Sequence, residues 1–145
     1  MIGSSVNKAI FNDSQYLNLL IEHFDWWYYD QGFKWQGNGN DLCRKITDLA
    51  LFHGKKLRGN NLVSATFRIA RGEITSQLLT NHLEITLQQF PEIICWDAVH
   101  ESTADNGFLR KCIWRECLGD DWEAKIFQMA HKIAPEVRLF YCDYF

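Results

Sequence analysis

The chain is short of several things, and each shortage narrows what it can be. It has no block of clustered lysine and arginine, and its net charge is -3. A nucleic-acid surface needs such clusters to displace counterions from phosphates, so nucleic acid is not an expected partner. No apolar run approaches the roughly 18 residues of a membrane span, and residues 1–11 lack the basic head and apolar centre of an export signal. Neither a membrane-spanning segment nor a signal peptide is therefore expected, and the compartment is left open. The five cysteines, Cys43, Cys95, Cys112, Cys117 and Cys142, are odd in number and include no Cys-x-x-Cys. A closed disulfide set and a zinc site are thus both unsignalled, and buried free thiols are the simpler reading. His23, His53, His82, His100 and His131 have no His-Glu-x-x-His spacing, so no metal and no cofactor is expected. There are only two prolines, Pro91 and Pro135, and each stands where a helix has to stop.

What remains is an ordinary globular balance, with 145 residues, 47% hydrophobic and 23% charged, read as one domain over residues 1–145. Residues 2–6 suit a short strand. Asp13 or Ser14 then caps a helix with Tyr16, Leu17, Leu20, Ile21 and Phe24 on one face. The aromatic run Trp26-Trp27-Tyr28-Tyr29 has the propensity of a second strand. A loop at 36–40 leads to a helix from Asp41 that turns Leu42, Ile46, Leu49 and Ala50 inward and ends at Gly54. Residues 57–63 read as a third strand. A helix over 76–90 follows, with Leu79, Leu83, Leu87 and Phe90 aligned. Beyond the fourth strand, helices are expected over 109–118 and from about Trp122 to Ile133, and a last strand over 137–144. Strands alternating with helices specify parallel neighbours joined by right-handed crossovers.

The fourth strand, residues 93–101, holds most of the functional signal. An apolar run, Ile-Ile-Cys-Trp-Asp-Ala-Val, ends abruptly in His100-Glu101. Catalytic groups of parallel α/β folds gather at the carboxyl ends of strands, so a strand finishing in His-Glu is well placed for chemistry. The competing reading is a helix cap, for which Ser102 and Thr103 also qualify. The rings of residues 26–29 have two readings as well: core packing, or flat apolar platforms that match the C–H faces of sugar rings.

Four blocks, in order, resemble glycoside hydrolase family 10, the endo-1,4-β-xylanases. Trp96-Asp97-Ala98-Val99-His100-Glu101 is similar to that family's Trp-Asp-Val-Val-Asn-Glu. His23-Phe24-Asp25 through Lys34-Trp35 resembles its His-Phe-Asn... Lys-Trp block. Arg58-Gly59-Asn60-Asn61-Leu62-Val63 resembles Arg-Gly-His-Thr-Leu-Val, and residues 139–144 resemble Leu-Phe-x-Asn-Asp-Tyr. The resemblance implies a partial (β/α)8 TIM barrel of about five parallel strands with outer helices, since the whole barrel takes about 250 residues. It makes Glu101 the general acid/base, with a carboxyl raised by burial near Trp96 and by a second carboxylate. It places Asp30, Gln31, Lys34, Asn60, His100, Asp143 and Tyr144 at substrate-binding positions, with xylan or xylo-oligosaccharide as partner. Family members are typically secreted.

The sequence departs from the family pattern at several of these positions. Asn60 stands for a His, Ser64 for a Trp and Ala65 for a second His, while Asp30-Gln31 replaces Glu-Asn and His100 replaces an Asn. The family's nucleophilic Glu comes from a seventh strand, and retaining hydrolysis needs two carboxyls about 5 to 5.5 Å apart. The expectation is therefore a xylanase-like hydrolase fragment that is weak or inactive alone, with an open barrel edge that invites self-association. Asp143 is expected near Glu101 as a tuning partner. The alternative is a non-catalytic carbohydrate-binding or interaction module using Trp26, Trp27, Tyr28, Lys34 and Trp35. A plain assembly role predicts no response to sugar.

Overall fold

The computed structural model describes residues 2–29, 33, 40–67 and 76–144. Five strands form one sheet in the order β1-β2-β3-β4-β5, every neighbouring pair parallel. They are β1 (Gly3–Val6), β2 (Trp26–Tyr29), β3 (Lys56–Ser64), β4 (Cys95–His100) and β5 (Arg138–Cys142). Between them run α1 (Ser14–His23), α2 (Asn40–Phe52), α3 (Ser76–Gln89), α4 (Ile113–Leu118) and α5 (Trp122–Ile133), with a short 3-10 turn at Lys8–Phe11. Strand order equal to sequence order is what repeated β/α crossovers produce. Among the described residues no helix is long and apolar enough to cross a membrane.

The local chemistry explains the boundaries. The Asp13 carboxylate accepts hydrogen bonds from the amides of Gln15 and Tyr16, both 3.0 Å, and so starts α1. Gly54, at φ 66°, supplies the left-handed residue after α2. The core lies between sheet and helices: Trp27, Leu62, Trp96 and Val99 from the strands meet Ile46, Leu79, Leu83 and Ile126 from the helices, all buried. Trp96 packs edge-on against Phe33, with ring centroids 4.7 Å apart. It also lies flat over Gly59, where an added Cβ would fall 2.1 Å from the indole. Glycine is the residue that lets β3 and β4 pair beneath that ring.

Three expected boundaries shift. The fourth strand begins at Cys95 rather than Ile93, because the Ile93 amide closes a turn on the Phe90 carbonyl at 3.0 Å. The helix expected over 109–118 covers only Ile113–Leu118, because Leu109 bridges antiparallel to Thr103 and the Arg110 amide bonds the Ser102 carbonyl at 2.7 Å. The last strand ends at Cys142, and Asp143 turns back toward β4.

Candidate active site

The tip of β4 is where the polar groups converge. Register pairs His100 with Ser64 of β3 and with Cys142 of β5, so three strand ends meet there. The next residue, Glu101, leaves the sheet with φ 55°, the only non-glycine residue at positive φ among the described residues. Such a backbone costs of order 1–2 kcal/mol and persists only where its surroundings impose it. Three hydrogen bonds do so: the Glu101 amide donates to the Cys142 carbonyl at 2.9 Å, Arg110 Nε donates to the Glu101 carbonyl at 3.1 Å, and the Arg110 amide holds Ser102. The Glu101 side chain, 25% exposed, receives the Thr66 hydroxyl on Oε2 at 3.2 Å. His100 Nδ1 lies 3.8 Å from the same oxygen, an ion pair whenever the imidazole is protonated.

Trp96, expected beside this carboxyl, bonds instead toward the start of its own strand. Trp96 lies on the helix-facing side, with Nε1 bonded to the Ile93 carbonyl, about 16 Å back along the strand at the usual rise per residue. A second buried indole, Trp114 of α4, reaches the end of β3, where its Nε1 donates to the Ser64 carbonyl at 2.8 Å. Ser64 Oγ is 2.8 Å from Thr66 Oγ1, which in turn reaches Glu101. Trp114, Thr66 and Arg110 were not singled out in the sequence. The Ser64/Thr66 pair at a strand end was a weak local signal, whereas nothing local to Trp114 or Arg110 pointed to the tip.

The other sequence-derived candidates divide into three groups. Asp30, Gln31 and Lys34, with Trp35, lie outside the described residues. Asn60 is buried one layer below the tip: its Nδ2 donates to Asp97 Oδ2 at 3.1 Å, and its Oδ1 accepts from Asn61. Asp97 also pairs with Arg58, which stacks 4.8 Å over the Phe140 ring. The Asp97 hydrogen bond raises Arg58 further above its ordinary value. Asp143 does come back to β4, but to the segment after Glu101: Oδ2 accepts the Thr103 amide at 2.8 Å and the Tyr141 hydroxyl at 2.7 Å, and Oδ1 accepts the Tyr144 amide at 3.0 Å. Burial pushes that carboxyl up, and the hydrogen bonds outweigh it, so Asp143 sits below the ordinary carboxylate range. The Tyr144 hydroxyl joins Arg110 at 3.0 Å and Asp105 at 3.2 Å. Trp27, read in the sequence either as core or as a sugar platform, is fully buried in the core, while Trp26 and Tyr28 on either side of it are half-buried. β2 bounds a cavity of about 540 Å³ whose lining includes Trp26, Trp27, Tyr28, Arg58, Asp97 and Phe140, and with them the candidates Asn60 and His100. Among the described residues no three His, Cys, Asp or Glu side chains cluster as a metal site.

Five parallel strands in barrel order, with a carboxylate presented at the tip of the fourth, are the features of one half of a (β/α)8 hydrolase. The family model for glycosyl hydrolase family 10 matches residues 1–145, and the chain belongs to that family. It is 30% identical to endo-1,4-beta-xylanase A of Thermoanaerobacterium saccharolyticum over 99% of this chain and 15% of that protein. It is 29% identical to the endo-1,4-beta-xylanase of Geobacillus stearothermophilus over 99% of this chain and 49% of that one. The crystal structure of TsXylA, the intracellular xylanase of Thermoanaerobacterium saccharolyticum, superposes with a TM-score of 0.85 at 30% identity, covering 99% of this chain and 53% of TsXylA. Two mutants of TsXylA have been solved with xylotriose and with xylotetraose. The chain thus spans about half of the solved catalytic barrel, or less of the relatives' full length.

Proposed function

We propose that Glu101 is the general acid/base of retaining β-1,4-xylan hydrolysis, carried on the first five strands of the catalytic barrel as a single domain. The observation that carries this is the left-handed Glu101 at the tip of β4, fastened on both sides of its backbone. Strained non-glycine residues cluster where a side chain must be aimed. Thr66 engages Oε2, and among the described residues nothing bonds Oε1, so that oxygen is available to protonate a leaving glycosidic oxygen. His100 adjoins it and can offer one hydrogen bond to a sugar hydroxyl. Tyr144 stands at the rim, and the resemblance adds Asp30, Gln31 and Lys34 as sugar contacts. Asn60 and Asp143 have their polar atoms taken by Asp97 and by the Thr103 turn, so their part is to hold the neighbours of the site. The xylo-oligosaccharide complexes of TsXylA support the same substrate class here.

The family's nucleophile belongs to a seventh strand, and these residues form five. Asp143 does not replace it: adjacent strand tips present their carboxyls from one side of the sugar, whereas nucleophile and acid flank the bond from opposite sides. The 145-residue chain on its own is therefore expected to hydrolyse aryl β-xylobiosides no faster than its Glu101→Ala variant. Turnover well above that variant, with a glycosyl adduct trapped on any carboxylate, would overturn the reading.

A non-catalytic sugar-binding role is favoured by one observation, the cavity walled by Trp26, Tyr28 and Phe140. Xylo-oligosaccharide titration followed by tryptophan fluorescence separates the two readings, since binding indifferent to Glu101→Gln belongs to the cavity. Among the described residues β1 and β5 each have a neighbour on one side only, so the chain alone is expected to self-associate through these edges. An unfolding midpoint independent of protein concentration, in a clean monomer, would exclude this.

A further inference from the structure

Four side chains from three elements stand in line beside the Glu101 turn: Glu123 in the first turn of α5, Ser102 after β4, and Tyr141 and Asp143 at the end of β5. Ser102 Oγ meets Glu123 Oε1 and lies 2.6 Å from Tyr141 Oη, and Tyr141 Oη lies 2.7 Å from Asp143 Oδ2. Thr103 Oγ1 joins from the side, 3.1 Å from Tyr141 Oη. Two oxygens at such a distance need a hydrogen between them, because otherwise lone pair faces lone pair. Each hydroxyl brings one hydrogen, and Thr103 uses its own on Tyr141. Ser102 and Tyr141 are then left with two hydrogens for the three contacts of the line. The third hydrogen has to come from a carboxyl.

We propose that Glu123, Ser102, Tyr141 and Asp143 hold one carboxylic proton in common, entering at the Glu123 end, and that this closed chain positions Glu101. With the proton there, Glu123 donates to Ser102, Ser102 to Tyr141 and Tyr141 to Asp143, so Ser102 gives once and receives once, while Tyr141 gives once and receives from both Ser102 and Thr103. The direction is set by Asp143, which also accepts the Thr103 and Tyr144 amides, donors that favour its charged form. Among the described residues no cation pairs with Glu123. The titratable groups facing the chain are the Cys112 thiol at the cap of α4, pushed up chiefly by burial, the Tyr141 phenol, also pushed up by burial, and Cys142 and Glu101 at the strand tips. Arg110 lies beyond Glu101, committed to that residue's carbonyl, Tyr144 and Asp105, and Arg115 of α4 is paired with Asp120. Ser102, 1% exposed, is the next residue after Glu101, so the chain ties the acid/base turn to β5 and α5 together. The positioning role rests on the reading of Glu101 above, whereas the proton count does not.

The test is carboxyl-detected carbon NMR of the full chain, without substrate, from about pH 4 to about pH 9. The expected result is one proton leaving above the ordinary carboxyl range, registered jointly at Glu123 and Asp143. The Ser102 and Thr103 amides and the Glu101 carboxyl should shift in the same step. Ser102→Ala and Tyr141→Phe each leave as many hydrogens as contacts, so the upper step should vanish in both. Thr103→Val leaves the shortfall in place, and the step should persist. A wild-type chain with no such step, or a step that survives Ser102→Ala, would overturn the proposal. If either hydroxyl variant fails to fold, the wild type and Thr103→Val still decide. An upper step in a chain whose Glu101 proves irrelevant to hydrolysis would sustain the shared proton and dismiss only its catalytic use.

Discussion

Two polar clusters share β4 and lie one layer apart, and they are stabilised in opposite ways. In the lower one, between β3 and β4, the permanently charged Arg58 lies against Asp97, and Asn60 takes the other carboxylate oxygen. In the upper one, at the tips of β4 and β5, Asp143 is held by two amides and a phenol, and Glu101 by a threonine hydroxyl. An arginine stays charged at every working pH and so makes a staple. Amides favour the charged carboxylate, whereas a hydroxyl can either give or accept a hydrogen and so suits a carboxyl in either state, which acid/base chemistry requires. The lower layer is a staple of fixed charge, and the upper is where the proposed acid/base chemistry lies.

This contrast can be broken at its strongest point first. Asp97→Ala leaves Arg58 and Asn60 without their partner in a buried layer, and is expected to destabilise the chain by about 3 kcal/mol, the low end for a buried pair because Arg58 is 38% exposed. Denaturant unfolding measures it, and a loss as small as that of a surface pair would make the lower layer dispensable. Tyr141→Phe, in the upper layer, removes hydroxyl hydrogen bonds without removing a charge, and the same measurement is expected to give about 1 kcal/mol. A larger loss there than at Asp97 would invert the comparison. The smallest effect concerns acid. Because folding lowers the Asp143 carboxyl, its contribution is complete above the ordinary aspartate value and fades as pH falls through its folded value. The protection factor of the Thr103 amide, which donates to that carboxylate, should therefore fall on acidification.

How much was legible follows from how far apart in the chain the partners lie. The strand and helix alternation, the Asp13 cap, the Gly54 stop and the abrupt His100-Glu101 ending are all written within a few neighbouring residues. All except exact boundaries could be read there, because propensity, periodicity and capping are local. The misplaced helix start shows the limit: residues 109–118 have a helical pattern, and a bridge from Leu109 to Thr103 overrides its first turn.

The sequence by itself determined a parallel β/α chain of family 10 kind with a carboxylate at its fourth strand tip. That followed from apolar spacing and from four short blocks whose order survives without any knowledge of contacts. Only the tertiary structure decided that Trp27 goes wholly to the core, that Trp114 bonds the end of β3 while Trp96 bonds the start of its own strand, and that Asn60 and Asp143 spend their polar atoms on Asp97 and the Thr103 turn. The physical reason is reach. A hydrogen bond between Ser102 and Tyr141, or between Trp114 and Ser64, joins residues 39 and 50 positions apart and exists only once register and crossover have brought their strands and helices together. Nothing in the local pattern of either segment encodes that meeting.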